Sequence, residues 1–596
     1  MDSIDPHHDR RVSRRTFVKG GLLAGGLLAG AGAAIRAAAE AAGDEGGRAV
    51  QTRAGTPHRV PRPVVSRPNI LVILVDQLRF PQWLAPASFS GGLPPNLARL
   101  REGAVTFARH YTASNDCSPS RAALLTGLYT HQTGCMITGG STLDPGFPTW
   151  GTMLREQGYH TRWYGKWHLT HRDNWWNAGG NGARALERYG FAGGTFPSPD
   201  GAPGQGLRRD PHIARQFREW FAREGAAGPW CTTVSFVNPH DIAWWYAWSN
   251  RVAAEASAGH AARRLPPNFE TPELLRARRK PRLQRALQAT AATSFGPVPF
   301  HGPGSERRWL EFLSLYAKLQ LQVDENIGRV LAALESQPAV AANTVVVFTS
   351  DHGEYGGSHG LRGKGASAYE EGIRVPLIVK DPRGALTGAT EQARTQLSSS
   401  VDVAPLLLTI ASGSDAWRRE GRYAHIAGRL DLAGILADPA APGRDHVLHA
   451  TDEIVTEFAV EPYAAGAPLH VVAMRTAGAK VATYSHWRAE SIEPRPDGEE
   501  AELYDYSTSD GRLELENVIG SSSLEPGMRD QLRRAIRTEL RAPLHPRLHA
   551  AQARGFADYL TTARHAAKAA AAMRKRRSER VLGRLHRGDT AEGGQN

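Results

Sequence analysis

The fold of this 596-residue chain is decided by residues 69–77, which read NILVILVDQ. Within this stretch, Ile70–Val75 is a continuous apolar run that is bounded by Pro68-Asn69 on one side and by Asp76 on the other. An apolar, β-branched run without alternating polar residues is typical of a strand that is buried on both faces of a parallel sheet. The stretch therefore predicts a strand inside such a sheet.

Three further runs have the same character, and helical patterns separate them. The runs are Thr232–Val237, Val345–Phe348 and Val375–Val379, and the helical patterns cover residues 96–103, 120–128, 149–158 and 309–335. Strands that alternate with helices predict a layered α/β domain. After about residue 440 the helical patterns become fewer, and short strands such as Val471–Met474 and Lys480–Tyr484 predict a smaller α+β unit.

Polar residues follow three of the apolar runs. The first run is followed by Asp76-Gln77, the run at Thr232–Val237 by Asn238-Pro239-His240-Asp241, and the run at Val345–Phe348 by Thr349-Ser350-Asp351-His352-Gly353. Ligands of parallel α/β sheets bind outside the carboxyl ends of the strands. A single aspartate at such a place is more typical of a cap or a turn. Three such ends together favour a metal site of oxygen ligands and one nitrogen.

The segment around Cys117 is the most informative for chemistry. Pro119-Ser120 opens a predicted helix, so Cys117 is expected just before the helix N-terminus, where backbone N–H groups favour an anion. Arg121 lies one helical turn away and can point back at the cysteine. The pattern is that of a nucleophile in an anion-binding corner. A buried structural cysteine that happens to precede a helix is an equal alternative on spacing alone.

The N-terminus has the pattern of an export signal. Arg14-Arg15 and Lys19 are followed by sixteen uncharged residues, Gly20–Ile35, and by the small residues Ala37–Ala39. The segment is too short and too weakly apolar for a stable membrane span. It is similar to the signal peptide of the twin-arginine export pathway, which carries folded proteins. A disordered basic tail is the alternative, and residues 40–66 have the composition of a linker.

The net charge of +13 is concentrated in parts of the chain. Residues 251–308 contain eleven basic and four acidic side chains, and the end of the chain around Arg574–Arg577 is also basic. The rest of the body is slightly acidic, so nucleic acid is not indicated as a partner. The basic segment 251–308 is either a solvated helical cover or a surface that attracts a polyanion. The three cysteines, Cys117, Cys135 and Cys231, are an odd count for an exported protein that relies on disulfides.

Several motifs together resemble one known family. Cys117-Ser118-Pro119-Ser120-Arg121, followed by Leu125-Thr126-Gly127, resembles the signature of the formylglycine-dependent sulfatases, in which this cysteine is oxidised to a Cα-formylglycine aldehyde. The stretch from Gly158 to His168 is similar to the second family signature, with Tyr164 as a departure. Other matching motifs follow in family order, over residues 67–520: Pro68-Asn69, Asp351-His352-Gly353, Gly363-Lys364-Gly365, Tyr369-Glu370-Glu371, residues 400–405, residues 502–505 and Glu516-Asn517.

The resemblance implies a fold like that of alkaline phosphatase. This fold is α/β, with a large, mostly parallel sheet between helices and a smaller C-terminal α+β domain that holds a small antiparallel sheet. The expected organisation is a signal peptide at 1–39, a linker at 40–66, a catalytic domain at 67–440 with the basic insertion 251–308, a C-terminal subdomain at 441–545 and a basic, helical or disordered tail at 546–596.

The resemblance also implies one divalent cation, normally Ca²⁺. Its ligands would be Asp76, Gln77, Asp351, His352 and an oxygen of modified Cys117. Many family members have aspartate where this chain has Gln77. An amide oxygen still coordinates a hard cation but removes one negative charge, so Mn²⁺ and Mg²⁺ are alternatives.

Roles in catalysis follow from the same match. A hydrated aldehyde at position 117 would attack sulfur, held by the cation and Arg121, and Lys166 and Lys364 would clamp the sulfuryl oxygens. His168 would act as a base toward the formylglycine hydroxyls. His240, together with Lys364, would protonate the leaving oxygen as general acid.

The resemblance implies an exported, periplasmic or extracellular sulfatase acting on small-molecule or glycan sulfate esters. Its protein partners would be a formylglycine-generating enzyme and the twin-arginine translocase. A phosphonate monoester or phosphodiester hydrolase using the same site is the enzymatic alternative. An envelope-associated binding protein with a dead site is a third hypothesis, and the intact set of site residues argues against it.

Tryptophans crowd the segments beside Lys166 and His240, namely Trp163, Trp167, Trp175, Trp176, Trp244, Trp245 and Trp248. They favour an aryl or apolar sulfate as substrate, since aromatic rings stack on such groups. Packing in the core is an equal explanation for each ring.

Overall fold

The structure, a computed structural model, describes residues 67–80, 94–170, 184–245, 262–388, 391–452, 466–488, 491–495 and 497–586. The predicted signal peptide and linker lie outside the described residues, as do Trp175, Trp176 and Trp248. No helix within the described residues is long and apolar enough to span a membrane.

Two sheets organise the chain. The larger has eight strands: β1 (Asn69–Val75), β2 (Ala104–Tyr111), β3 (His160–Gly165), β4 (Ala192–Gly193), β5 (Trp230–Phe236), β6 (Thr344–Ser350), β7 (Leu377–Lys380) and β8 (Gln392–Ser399). Their order is β4-β3-β5-β1-β6-β7-β2-β8, and only β7 runs antiparallel to its neighbours. The smaller sheet is antiparallel and has the order β12-β11-β10-β9, with β9 (His446–Thr451), β10 (His470–Thr476), β11 (Ala479–Ser485) and β12 (Glu500–Asp505).

Helices pack on both faces of the large sheet and on both faces of the small one. They are α1 (Pro95–Arg101), α2 (Cys117–Thr126), α3 (Thr130–Thr133), α4 (Trp150–Glu156), α5 (Gln205–Glu224), α6 (Pro272–Ala277), α7 (Arg282–Phe295), α8 (Ser305–Glu335), α9 (Pro338–Ala341), α10 (Glu370–Ile373), α11 (Val403–Ser412), α12 (Leu432–Ala437), α13 (Ser509–Arg512), α14 (Glu525–Ala535) and α15 (His549–His586). Short 3₁₀ segments occur at Glu187–Tyr189, His240–Trp244, Ser358–Gly360, Ser400–Asp402, Ala416–Arg419, Gly421–Tyr423 and Pro546–Leu548, and a π-helical turn at Ile536–Leu540.

Strand β1 is buried on both faces, as its sequence predicts. Ile70, Val72 and Leu74 pack into the core on one side of the sheet, with residues of α2, α4 and α11. Leu71, Ile73 and Val75 pack into the core on the other side, with residues of α1, α5 and α8. The successive side chains of a strand point to opposite faces, so an unbroken apolar run supplies both layers. The predicted fold class is therefore confirmed.

The basic segment 251–308 is neither a simple solvated cover nor a free basic surface over its described part. Lys280 is fully buried, and its ammonium lies 3.7 Å from a carboxylate oxygen of Glu270. Arg278 pairs with the same glutamate at 2.9 Å, and Arg282 pairs with Glu500 of the small sheet. Other arginines of the segment, such as Arg263 and Arg276, are exposed. Part of this positive charge therefore joins the segment to the small-sheet region.

The predicted tail is helical in the structure from His549 to His586. Its first turns pack on the body, where Gln552 donates to the Gln132 carbonyl and Arg554 pairs with Asp144. From Arg564 onward the described side chains are exposed.

Candidate active site

Neighbouring strands bring the predicted residues to one edge of the large sheet. Val75 of β1 lies opposite Ser350 of β6, so Asp76 and Asp351, which follow them, are adjacent. Gly165 of β3 lies opposite Ser235 of β5, which places Lys166 and the segment leading to His240 at the same edge. This is the arrangement that the strand-end residues predict.

Cys117 is the first residue of α2 and is completely buried. The helix thus begins at the cysteine itself, three residues before the predicted pattern at 120–128, with Asp116 at the N-cap position in extended conformation. The Cys117 Sγ lies 3.2 Å from His352 Nε2, 3.5 Å from Lys166 Nζ and 3.9 Å from Asp76 Oδ1. The sulfur therefore lies at the centre of the predicted site residues.

Arg121 does not point at Cys117 in the way that the sequence suggests. Its Nε donates to Asp351 Oδ2 at 2.9 Å and its Nη2 to Asp76 Oδ2 at 3.1 Å. Its Nη1 donates to the carbonyl of Lys166 and to Ser235 Oγ. The side chain is fully buried and bridges the two aspartates, so its first role is to hold the carboxylates in place.

Lys166 reaches the site because β3 ends in a glycine. Gly165 has a φ of 97°, and a Cβ there would lie 1.9 Å from the Ser235 carbonyl oxygen. Glycine therefore lets the two strands approach closely at this edge. The Lys166 ammonium lies 2.5 Å from Asp76 Oδ2 and is shielded from solvent.

Gln77 and Lys364 complete the cation side of the site. Lys364 Nζ donates to Gln77 Oε1 at 3.0 Å, and the Gln77 backbone N–H donates to Asp351 Oδ1 at 3.1 Å. Lys364 is partly exposed, whereas Asp76, Gln77, Asp351 and His352 are all buried. The structure thus brings the predicted cation ligands together beside the partly exposed side chain of Lys364.

The two predicted acid–base histidines also border the sulfur. His168 lowers the pKa of the Cys117 thiol, and Cys117 in turn acts to raise the pKa of His240. His240 packs against Gly201, where a Cβ would lie 2.6 Å from the imidazole Cε1. Burial lowers the pKa of His240 to about 4, and the positive charges of Lys364 and Lys166 add to this effect.

Cys117 lies in a strongly positive environment. Burial alone would raise the pKa of its thiol, but Lys166, Lys364 and His352 hold that pKa well below its ordinary value. Burial would likewise raise the pKa of Asp76, and the lysines and His240 instead place it below its usual range. The site therefore favours negative charge at position 117 and on anything bound there.

Most of the tryptophans near the site belong to the core. Trp163 and Trp167 are fully buried and pack on each other, with Trp150, Phe191 and Tyr189 around them. Trp245 is buried against Phe312, and only Trp244 is partly exposed among the described ones near His240. The structure favours core packing over substrate stacking for Trp163, Trp167 and Trp245.

Two groups of buried side chains within the described residues have the composition of a metal site. The cysteine cluster is Asp76, Cys117, Asp351 and His352, whose ligand atoms lie within 4.8 Å of one another. The interface cluster is His359, Glu371 and Glu514. In the interface cluster, His359 Nδ1 is 2.6 Å from Glu270, Asn268 donates to Glu371 at 2.8 Å, and Lys480 pairs with Glu514.

Comparison with known proteins identifies the family. The sulfatase family model matches residues 68–414, more than half of the chain. The chain belongs to the sulfatase family. Sulfatases are sulfuric ester hydrolases, and the matched range includes each of the residues that we assign to the site.

Individual relatives agree with this assignment. The choline-sulfatase of Rhizobium meliloti is 26% identical over 443 residues, which cover 68% of this sulfatase and 76% of the relative. The solved structure of a 2-O GAG sulfatase has a TM-score of 0.58 at 21% identity, covering 79% of this chain and 92% of the other. A phosphonate monoester hydrolase from Silicibacter pomeroyi also has a TM-score of 0.58 at 21% identity, covering 80% and 96%. Both structures share the alkaline-phosphatase-like fold.

Two contacts of the site were not predicted from the sequence. Glu354 lies behind Gln77, and its Oε2 accepts from Gln77 Nε2 at 2.5 Å. Thr451, at the end of β9, donates to Asp116 Oδ2 at 2.5 Å, next to the cysteine. The position of Glu354 directly after Asp351-His352-Gly353 is the one signal that could have found it. No local pattern connects Thr451 with Asp116, which is 335 residues earlier.

Proposed function

We propose that this sulfatase hydrolyses sulfate monoesters by means of a formylglycine formed from Cys117 and one bound divalent cation. The observation that carries the proposal is the grouping around one sulfur atom of four buried side chains, Asp76, Asp351, His352 and Lys166. A neutral binding pocket needs no such concentration of charge, which is costly to bury.

The donor set of the cysteine cluster fits a hard divalent cation. Asp76 and Asp351 offer carboxylate oxygens, Gln77 an amide oxygen and His352 an imidazole nitrogen, and an oxygen on residue 117 would complete the set. Oxygen-rich sites with one nitrogen suit Ca²⁺, Mg²⁺ or Mn²⁺, with Ca²⁺ as our first choice. The bound cation would supply positive charge that polarises the sulfuryl oxygens.

The chain's own residues would perform the remaining steps. The hydrated aldehyde supplies two hydroxyls, one to displace the alcohol or phenol at sulfur and the second to release sulfate and restore the aldehyde. Lys166 and Lys364 lie where they would bind the sulfuryl oxygens in a water-poor site. His168 would accept a proton from residue 117, and His240 would donate one to the leaving oxygen. A bound sulfate ester would oppose the lysines that lower the pKa of His240.

Mass spectrometry of the peptide that contains residue 117 tests the proposal directly. Protein made in its native host, or together with a formylglycine-generating enzyme, is expected to carry the aldehyde at this position and to release sulfate from p-nitrophenyl sulfate. The Cys135 and Cys231 peptides serve as internal controls and are expected to stay unmodified. Fully active protein with an intact Cys117 thiol would contradict the mechanism.

A phosphonate monoester hydrolase is the second candidate function. It is favoured by the Asp76-Gln77 pair, which resembles that of hydrolases of phosphonate monoesters and phosphodiesters, and such an enzyme shares the fold. Relative values of kcat/KM on p-nitrophenyl sulfate and on a phenyl phosphonate ester separate the two. We expect the sulfate ester to be preferred.

Two substrate classes are to be distinguished, small sulfate esters and sulfated glycans. The core packing of Trp163 and Trp167 removes the argument for an aryl platform at those positions, and Trp244 remains as a candidate contact. Turnover of an aryl sulfate against that of a sulfated polysaccharide decides this point, and we keep the aryl or apolar ester as our expectation.

We also propose that residues 1–39 direct export of the folded enzyme by the twin-arginine translocase, to the periplasm or beyond. The support is the pair Arg14-Arg15 before an uncharged segment. Cell fractionation of the full chain beside an Arg14→Lys/Arg15→Lys variant tests this, with retention of the variant in the cytoplasm as the expected result.

A further inference from the structure

Glu354 is a buried carboxylate that the proposed reaction does not use. Its Oε2 accepts from Gln77 Nε2 at 2.5 Å, and its Oε1 accepts from the backbone N–H groups of Gly356 at 3.0 Å and Gly363 at 2.7 Å. The side chain is completely shielded from solvent. One carboxylate therefore joins a predicted cation ligand to the turn that leads into Lys364.

Gln77 is fixed at every polar atom. Its backbone N–H donates to Asp351 Oδ1, and its carbonyl accepts from the Tyr316 hydroxyl at 2.7 Å. Its backbone lies in the left-handed region, with a φ of 66°. On the side chain, Nε2 faces Glu354, and Oε1 accepts from Lys364 at 3.0 Å.

These neighbours allow only one orientation of the Gln77 amide. An ammonium group is a donor only, so the atom facing Lys364 must be the amide oxygen. The Glu354 oxygens accept three N–H groups in total, so the atom facing them must be the amide nitrogen. The two ends of the amide have almost the same shape, so the hydrogen-bond partners alone set its orientation.

We propose that Glu354 is a positioning residue that turns the oxygen of Gln77 toward the cation and holds the turn before Lys364. This inference rests on the proposed function, since the cation belongs to it. Glu354 also places a negative charge directly behind a neutral ligand. Partners behind a metal ligand commonly change metal affinity about 10–100-fold when they are removed.

Exchanging the two side chains gives a sharp test. In Glu354→Gln, the new amide oxygen keeps the Gly356 and Gly363 N–H groups, so its NH₂ must face residue 77. Gln77 then has to turn its own NH₂ toward the cation and Lys364. Calorimetric titration of Ca²⁺ into the chelator-treated full chain is expected to show affinity reduced about 10–100-fold.

The double variant Gln77→Glu/Glu354→Gln has the same heavy-atom positions with the donor and acceptor exchanged. It is expected to restore Ca²⁺ affinity at least to that of the unaltered protein. The single variant Gln77→Glu places two carboxylates against each other and is expected to bind Ca²⁺ more weakly than the double variant. Glu502→Gln is the matched control, because Glu502 is equally buried but its carboxylate accepts from the hydroxyls of Tyr369, Tyr484 and Tyr504 and not from a predicted cation ligand.

The outcomes separate this inference from the proposed function. Equal loss of Ca²⁺ affinity in Glu354→Gln and in the double variant, or no loss in either, would overturn the positioning role while leaving the cation site intact. If the unaltered chain binds no divalent cation, both ideas fail. If Glu354→Gln does not fold, the double variant carries the test: folded protein that binds Ca²⁺ supports the role, and folded protein that does not bind it overturns the role.

Discussion

The cysteine cluster and the interface cluster are built from the same residue types, yet their surroundings differ. In the interface cluster each member already has a partner: His359 faces the neighbouring Glu270, Glu371 accepts from Asn268 and lies 3.7 Å from Arg79, and Glu514 pairs with Lys480. In the cysteine cluster the two carboxylates also face a cation, Arg121, but His352 and Lys166 in addition lie within 3.5 Å of the Cys117 sulfur. The two clusters therefore differ in what their charged groups surround, which in the cysteine cluster is a side chain that can react.

The two regions also shift the pKa of a histidine in opposite directions. Burial would lower the pKa of His359, but its hydrogen bond to Glu270 and the negative charge of Glu371, 3.7 Å away, raise that pKa above its ordinary value. Near His240, burial and two lysines outweigh the opposing charge of Asp76 and lower the pKa of His240 to about 4. The glutamates thus favour the protonated form of His359, whereas the surroundings of His240 favour its neutral form in the free site.

Removal of the Cys117 side chain should have the largest effect on activity. Cys117→Ala is expected to reduce kcat for p-nitrophenyl sulfate by about 10⁴-fold or more, since the proposed nucleophile is lost. Its unfolding midpoint should stay close to that of the unaltered protein. The measurement is sulfate release by a preparation whose fold is checked by circular dichroism. Cys231→Ala, at another buried cysteine, is the control and should keep its kcat; retained activity in Cys117→Ala would refute the role of residue 117.

Replacement of His240 should have the second largest effect, and one that depends on the substrate. His240→Asn is expected to lower kcat/KM by about 10²–10³-fold for an alkyl sulfate, whose leaving oxygen needs a proton. The loss should be much smaller for p-nitrophenyl sulfate, because its phenolate leaves without help. His110→Asn is a suitable control, since burial also lowers the pKa of His110 to about 4 and it lies in β2. An equal loss on both substrates would argue against a general acid.

The interface cluster should respond in stability and not in turnover. Glu270→Gln removes the charge that faces His359, Arg278 and Lys280, and it is expected to lower the free energy of unfolding by about 3 kcal/mol. The kcat of the folded fraction should stay within a few-fold of the original. Urea denaturation and initial rates on one preparation measure both quantities. A large fall in kcat without a loss of stability would reverse our assignment of the two clusters.

The smallest expected effect is a pH dependence of stability that comes from His359. Since its pKa is raised in the folded protein, its contribution is complete below about pH 6.5, the ordinary value, and is lost as pH rises through the folded-state pKa. The difference in thermal midpoint between the unaltered protein and His359→Gln should therefore be largest near pH 6 and shrink at higher pH. A difference that grows as pH rises would show that His359 is neutral in the folded protein.

Much of the fold and of the site is encoded locally. The apolar run at Ile70–Val75 predicts a strand buried on both faces, and the residues after the strands, such as Asp76 and Asp351, predict the edge where the site lies. The strand predicted at 232–237 covers Trp230–Phe236 in the structure, and the helix predicted at 120–128 begins at Cys117. These shifts are small because the termini of elements depend on caps and neighbours.

The contacts that the sequence did not predict are those that link distant segments. Arg121 turns to Asp76 and Asp351 because two buried carboxylates attract a guanidinium more strongly than a single thiol does. Lys280 belongs to the basic segment 251–308, for which a solvated or charged surface is predicted. It is buried because its ammonium faces Glu270 and donates to the Tyr504 hydroxyl. Pairings of this kind depend on tertiary approach, which neither periodicity nor motif spacing records.

The hydrogen bond from Thr451 to Asp116 has a consequence for the timing of synthesis. Cys117 is completely buried in the finished protein, and its neighbour is joined to a strand that is made 335 residues later. A ribosome that adds about 5–20 residues per second needs roughly 20–70 s to cover that distance. During most of this interval Cys117 has left the exit tunnel of the ribosome, while the small antiparallel sheet has not yet been synthesised. An enzyme that modifies Cys117 can reach it then without opening a folded domain, so slower translation of this interval would lengthen its opportunity.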